Sequence, residues 1–302
     1  MHSVRSVVIV TLSDPSARPD GGCDGCACAS EAPRVPVLAC ADAVAAAGGT
    51  TELVTACEDA AIDAAVKPVI AGEARLIVAA ATDAEVRAVV RRMVRILAPP
   101  PSKRPAELPA GRTVFDLPAL GILPLAPAVP DLVRTLGLPT EPSAVAAAVL
   151  GGQQRRYDLL RTDAGSVTLH GALVGGTGAD GSLGAWRGRV EVDDAVLTNG
   201  DEPVLACAIG NAGSSDVDGL PLLADARPDD GRVEVAVAVP VLQRHLIRAA
   251  TVEFEVRRAR GRAVSVLPRD DRVPVVDDGV SGFLSRKRAW WVESGAWGVY
   301  VM

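Results

Sequence analysis

Aromatic residues are scarce in this chain, with Phe, Trp and Tyr making up 3% of 302 residues. Any core must therefore be built from Ala, Val and Leu, and the 49% apolar share supplies them. Lysine occurs three times and histidine three times. Arginine and alanine dominate instead, as in the translation of a GC-rich genome, which biases composition without implying function. With so few histidines and no Gly-x-Ser-x-Gly, nothing supports a hydrolase triad. Basic residues number 31 against 37 acidic ones, giving a net charge of −6 and a pI near 5.2. That balance argues against general nucleic-acid binding. No uncharged run reaches the roughly 18 residues of a membrane span. The first residues lack the longer apolar region and cleavage site of a signal peptide. A soluble cytoplasmic protein without a transmembrane segment is expected. Six cysteines are too sparse for a disulfide scaffold.

What is present divides the chain in two. At this length one large or two ordinary domains are expected. Apolar strand-like runs at Val7–Leu12, Glu52–Thr55, Leu76–Ala81 and Leu120–Leu125 alternate with helical patterns at Val37–Ala47, Asp59–Val66 and Glu85–Leu97. Further helical patterns follow at Pro130–Leu136 and Ser143–Leu150. That alternation predicts a three-layer α/β domain on a parallel sheet. After Gly152 the texture changes to short Val-rich runs separated by Gly, Asp and Asn. They lie at Ser166–Leu173, Trp186–Val192, Val204–Ile209, Val233–Val239, Thr251–Arg257 and Ala263–Leu267. Such spacing predicts an all-β sandwich or barrel. The expected division is an α/β domain over residues 1–137 and a β-sandwich over 138–302. A Pro-rich stretch, Ala98–Pro118, reads as an exposed loop.

Several positions carry candidate chemistry, each beside a plainer alternative. Leu76–Ala81 followed by a helix is a strand–turn–helix unit, where many α/β proteins seat a phosphate. Its turn, Ala81-Thr82-Asp83-Ala84-Glu85, has none of the glycines that let backbone close on a phosphate. Thr82 or Asp83 also fits a helix N-cap. Asp229-Asp230-Gly231 and Asp277-Asp278-Gly279 offer carboxylates, and Asp-Gly is equally a hairpin turn. Cys23, Cys26 and Cys28 have spacing suited to zinc or a cluster, with Cys40, Cys57 or His2 as a fourth ligand, or to redox exchange. Incidental thiols in a loop are the other reading. Arg286-Lys287-Arg288 before Trp290-Trp291 suits peripheral contact with an anionic membrane, or a strand whose tryptophans are core. Gly175-Gly176-Thr177-Gly178 lies between β-runs and reads as a hairpin, not a phosphate loop.

The order of segments resembles the diacylglycerol kinase catalytic-domain family, within the group that includes sphingosine and NAD kinases. Leu120–Pro139 (LGILPLAPAVPDLVRTLGLP) resembles its strand, Pro, Gly-Thr-Ala/Gly-Asn-Asp loop and helix. Arg155–Leu159 (RRYDL), Trp186–Val192 (WRGRVEV) and Ala208–Asn211 (AIGN) resemble later strands. Leu222–Val235 (LLADARPDDGRVEV) is similar to an "A-x-x-DDG-x-x-D/E-V" run. Val276–Gly279 followed by Val292–Val299 resembles "x-DGE" and then "V-x-P-G-A-L-x-V".

The resemblance implies an α/β domain with a β-sandwich, ATP and magnesium as cofactors, and a diacylglycerol-like lipid as substrate. Asp278 corresponds to the base that deprotonates the lipid hydroxyl, Asp230 to a magnesium contact, and Thr82 and Asp83 to remnants of the nucleotide loop. Both phosphate loops depart from the family. Gly-Gly-Asp-Gly-Thr is Ala81–Glu85 here, and the second loop is Ala126–Asp131 with two prolines. Glu85 repels a phosphate and itself suits the helix N-terminus. Three readings follow. The first is a non-catalytic relative binding lipid or a partner in the interdomain cleft. The second is an active, divergent lipid kinase. The third is a metal- or thiol-dependent regulator acting through Cys23, Cys26 and Cys28. Oligomeric state is left open.

Overall fold

The computed structural model describes residues 5–13, 34–100, 103–125, 129–177, 183–243 and 251–302. The chain forms two compact units, one of residues 1–157 with 295–302 and the other of residues 158–294. The first unit therefore takes in the helix after residue 142 and the last eight residues as well.

The first unit is β1 (Ser6–Leu12), α1 (Val35–Ala46), β2 (Thr50–Ala56), α2 (Asp59–Ile70), β3 (Arg75–Ala80), α3 (Asp83–Leu97), β4 (Leu120–Pro124), α4 (Asp131–Thr135) and α5 (Pro142–Gly151). Its strands run parallel in the order β2-β1-β3-β4. Both faces of such a sheet must be covered, because β1, β3 and β4 are apolar on both sides. Val7, Ile9, Ile77, Ala79 and Leu123 face Val37, Cys40 and Val44 of α1 and Val145 and Val149 of α5. The alternate residues Val8, Val10, Leu76 and Val78 are equally buried, on the face that α2 and α3 cover. Arg92 of α3 reaches Asp63 and Asp59 of α2, which fixes the rotation of α3.

The second unit holds β6 (Val167–Thr168), β7 (Gly171–Thr177), β8 (Leu183–Gly184), β9 (Trp186–Val192), β10 (Ala195–Val204), β11 (Ala206–Gly210), β12 (Gly213–Val217) and β13 (Leu220–Ala226). It continues with β14 (Val233–Gln243), β15 (Thr251–Gly261), β16 (Ala263–Pro268), β17 (Val273–Asp277) and β18 (Val280–Leu284). The chain passes between the units within β5 (Gln154–Thr162) and β19 (Arg288–Tyr300). One sheet of the unit has the order β10-β9-β16-β19, and the other β15-β14-β11-β7-β17-β18. Their inward residues interdigitate: Trp186, Val190, Val264, Val266 and Trp290 from one, Val174, Cys207, Ile209, Val235 and Val237 from the other. This is the expected sandwich, with period-two alternation doing the sorting. The β12–β13 hairpin packs on the outer face of the second sheet, against Ala206, Ala208, Ala236 and Ala238.

Two details depart from the expected elements. The run Ser166–Leu173 is not one strand but breaks between β6 and β7. The hairpin β12–β13 occupies a segment with no sequence signal strong enough to mark it, whereas β17–β18 closes on the Asp278-Gly279 turn that the sequence offered. The glycine run at residue 175 ends β7, where Gly176 pairs with Gly184 of β8 as in a hairpin. Gly178 lies outside the described residues.

Gly175 is a point of close approach. Its φ is +81°, and a Cβ there would lie 2.2 Å from Trp186 Nε1. Gly219 has a similar φ of +79° but nothing within 4 Å. Gly175→Ala is expected to cost about 3 kcal/mol, combining left-handed strain with overpacking. Gly219→Ala carries the strain alone, about 1 kcal/mol. Urea unfolding midpoints of the two variants measure the difference, and equal losses would contradict the packing argument.

Candidate functional site

The first candidate lies where β3 gives way to α3. A helix start leaves backbone N–H groups without intrahelical acceptors, and this is what makes it attractive to phosphate. Here the Thr82 side chain takes the Glu85 N–H, and Glu85 takes two N–H groups just before the helix. Glu85 Oε2 accepts the N–H of Ala81 at 2.5 Å and of Thr82 at 3.0 Å. Thr82 at the N-cap and Glu85 at N3 form a reciprocal capping box. Asp83 is buried, and its Oδ1 accepts the Leu132 N–H at 3.1 Å. Leu132 stands in the first turn of α4, so Asp83 ties the turn after β3 to the helix after β4. Thr82 and Asp83, the two residues matched to the nucleotide loop, thus sit together at a helix start that is already capped. A phosphate at Ala81 and Thr82 would have to displace the Glu85 carboxylate. Ala126–Ala128 of the second loop lie outside the described residues.

The second candidate is a buried polar knot in the β unit. Asp278 and Gly279 form the β17–β18 turn with φ of +47° and +79°, a type I′ pattern that suits an Asp-Gly pair. The Asp278 carboxylate is 4% exposed. It accepts the N–H groups of Leu169 (2.6 Å), His170 (2.9 Å) and Gly171 (3.0 Å). These bonds turn the chain between β6 and β7 and account for the break in the expected strand. Beside it, Asp277 Oδ1 accepts the Thr168 hydroxyl at 2.7 Å. Burial, and then the Asp277 carboxylate, push the Asp278 carboxyl up to about 7, against the pull of the three N–H donors. Asn211 donates from Nδ2 to the carbonyls of Asp158 (2.9 Å) and Leu169 (2.7 Å). Asp158 Oδ2 in turn accepts the Gly231 N–H at 2.6 Å. Asp158 and Asn211 were visible in the sequence only as members of RRYDL and AIGN, with no role attached.

Asp230 is not part of this knot through its carboxylate. It pairs with Arg260 and accepts the Arg232 N–H at 2.9 Å. Arg260 also bridges to Glu234 at 3.0 Å. A magnesium ion at Asp230 would have to displace that guanidinium. Among the described residues no group of three or more His, Cys, Asp or Glu side chains converges on a metal position. Cys23, Cys26, Cys28 and His2 lie outside the described residues. Cys57 is disulfide-bonded, and Cys40 is buried in the α1 packing with its thiol pushed up to about 11. In those states neither is a ready fourth thiolate. Trp290 is fully buried in the sandwich core, whereas Arg286 and Lys287 are exposed. No helix is long and apolar enough to cross a membrane, among the described residues.

The β unit also has a cavity of about 370 Å³ between the outer face of its second sheet and the β12–β13 hairpin. Its wall includes Leu173, Leu223 and Val276, with His170, Ser215 and Asp216 among the polar lining residues.

The fold has close counterparts among solved structures. A structure described as a diacylglycerol kinase from Bacillus anthracis aligns over 99% of this chain and 97% of its own, at TM-score 0.65 and 14% identity. A second, described as a candidate diacylglycerol kinase of the same organism, aligns over the same shares at TM-score 0.63 and 14% identity. The chain has the diacylglycerol kinase fold. No family model matches the sequence, and no curated protein sequence matches it. The fold places the expected α/β and β-rich parts in the order that the motif segments suggested.

Asp278 should make stability pH-dependent. Its folded carboxyl holds a proton to higher pH than the ordinary value of 3.8. The associated stability is therefore full below about pH 4 and lost as pH rises toward 7. In Asp278→Asn that slope should flatten, and stability should fall by about 3 kcal/mol because an amide nitrogen then faces backbone donors. Urea midpoints across that pH range test both points, and an unchanged slope in the variant would assign the titration elsewhere.

Proposed function

We propose that this protein is a non-catalytic member of the lipid-kinase-like fold, acting by binding a lipid or a partner and not by transferring phosphate. One observation carries the reading. The carboxylate of Glu85 holds the N–H groups of Ala81 and Thr82 and sets a negative charge at the turn where a phosphate would sit, and Asp83 spends its own carboxylate on Leu132. Phosphoryl transfer depends on positioning and charge neutralisation, with little covalent chemistry for the protein to perform. A helix start carrying its own carboxylates supports neither. The Arg260 pairing of Asp230 points the same way at the expected magnesium contact.

A divergent lipid kinase is the second reading, favoured by one feature. A buried carboxyl pushed up to about 7 has the character of a general base, and Asp278 would fill that role, with ATP and magnesium as cofactors. Its three backbone donors favour a structural part instead, because each would have to be surrendered or shared for a proton to be taken.

Calorimetric titration with magnesium-ATP separates the two. The non-catalytic reading expects no saturable heat at millimolar nucleotide. Saturable, magnesium-dependent binding would overturn it. Glu85→Ala should cost about 1 kcal/mol of stability through the lost cap, measurable by urea unfolding.

A further inference from the structure

The Pro-rich segment between α3 and β4 holds a buried cation. Leu108, Val114 and Leu117 of this segment are buried, so it is packed and not wholly the exposed loop that its composition suggests. It is built from successive turns. The Leu108 N–H reaches the Pro105 carbonyl at 3.3 Å, and the Arg112 N–H reaches the Pro109 carbonyl at 3.1 Å. The Arg104 guanidinium donates to the carbonyls of Leu108, Pro109 and Arg112, which closes these turns on one side chain. Arg112 stands at their end, with its side chain 7% exposed. Its Nη1 donates to Asp116 Oδ1 at 2.5 Å. Its Nε and Nη2 are buried and meet no acceptor.

Nε and Nη2 are the two parallel donors on one edge of a guanidinium, the fork that takes two oxygens of one anion. Other arginines of this chain use that fork in this way. Arg92 sets Nε on Asp63 Oδ1 at 2.7 Å and Nη2 on Asp63 Oδ2, with Nη1 on Asp59 at 2.8 Å. Arg257 sets Nε and Nη2 on the two oxygens of Glu255, at 3.0 and 3.3 Å. Arg112 likewise has Nη1 on a carboxylate, but no carboxylate stands at its fork. Charged donors buried without an acceptor are costly, and a water offers one oxygen where the fork takes two. The surrounding charge selects what fits. Asp116 is shared, because its Oδ2 lies 3.1 Å from Arg156 Nη2. Arg156 Nη1 donates to the Leu117 carbonyl at 2.7 Å, and Arg104 bonds carbonyls alone in these contacts. Three guanidiniums therefore stand with one carboxylate, and the exposed Lys103 and Glu107 of the same segment offset each other. That excess matches a dianion better than a monoanion. Burial of the Arg112 side chain limits the ligand to a small one, while the half-exposed Asp116 and Arg156 bring the cluster to the surface. We propose that Arg112 anchors a site for a small tetrahedral dianion such as inorganic phosphate, held at Nε and Nη2 with Arg156 at the rim. The site uses no residue of the α3 start or of the Asp278 knot, so it does not depend on whether the protein transfers phosphate.

The test is calorimetric titration of the full chain at constant ionic strength, without magnesium, with inorganic phosphate, sulfate, acetate and phenyl phosphate. Phosphate and sulfate should bind saturably. Acetate, a monoanion, and phenyl phosphate, a bulky ester, should each bind roughly tenfold more weakly. Arg112→Lys keeps the charge but not the fork and should weaken phosphate binding about tenfold. Arg112→Met keeps a long apolar stem and should abolish binding while the far-ultraviolet spectrum stays unchanged. Asp116→Asn, at an exposed position, removes a negative charge and keeps an acceptor for Nη1, so phosphate should bind about threefold more tightly. Where Arg112→Met does not fold, Asp116→Asn and the acetate comparison decide. No saturable phosphate binding, acetate binding as tightly as phosphate, weaker binding by Asp116→Asn, or undiminished binding by Arg112→Met would each overturn the inference. Phosphate binding that required magnesium would overturn it too, and would favour the kinase reading.

Discussion

A buried backbone N–H must find an acceptor, because leaving it unpaired costs as much as a lost hydrogen bond. This chain meets that requirement repeatedly with carboxylates. Glu85 serves Ala81 and Thr82, Asp83 serves Leu132, Asp158 serves Gly231, and Asp278 serves three residues at once. Asp193, at the β9–β10 turn, does the same for Arg262 and Ala263. In each case a side chain with two acceptor oxygens holds a place where the chain changes direction. Turns of both units use this device beside glycines at positive φ.

The device has a functional consequence. Clusters of backbone donors at loop and helix starts are the usual raw material for binding an anion. A carboxylate fixed in such a cluster supplies the anion from within. It gains stability from the helix start and removes the vacancy that a phosphate would fill. Glycine-rich loops leave their donors open because they have no side chain to close them. Replacing them with Thr, Asp and Glu moves the same backbone geometry from ligand binding to folding, with no change of fold required.

This also explains what the sequence could disclose. The α/β order was legible because apolar runs and helical spacing are local signals, and β1, β3 and β4 are buried on both faces. The sandwich was legible through alternation, most cleanly at Trp186–Val192, whose bounds as a strand match the reading. The capped start of α3 could be read in part, since Thr82 and Glu85 have capping-box spacing. The Asp278 knot could not. Whether a carboxylate in an Asp-Gly turn faces solvent or three N–H groups more than a hundred residues away is decided by tertiary pairing. The same pairing broke Ser166–Leu173, which is continuous as a pattern and interrupted as a strand. The strands of hairpins β12–β13 and β17–β18 were harder to read than the Asp278-Gly279 turn, for a related reason. Their outward residues are exposed, so their alternation is weak.

The scarcity of aromatics has its own reach. Trp186 and Trp290 lie in the sandwich interior, where the space between two sheets is largest. The outer face of the second sheet is left with Ala206, Ala208, Ala236 and Ala238, which stand too low to shield one another. Burying that face required another layer, and the β12–β13 hairpin supplies it through Val217, Leu222 and Leu223. A five-residue strand paired with one of seven cannot cover a sheet of this width. Beside its side chains a cavity remains, lined in part by Gly171 and Gly210. An aromatic residue in that lining would have closed it. The cavity is thus a product of the same small-residue composition that builds the core.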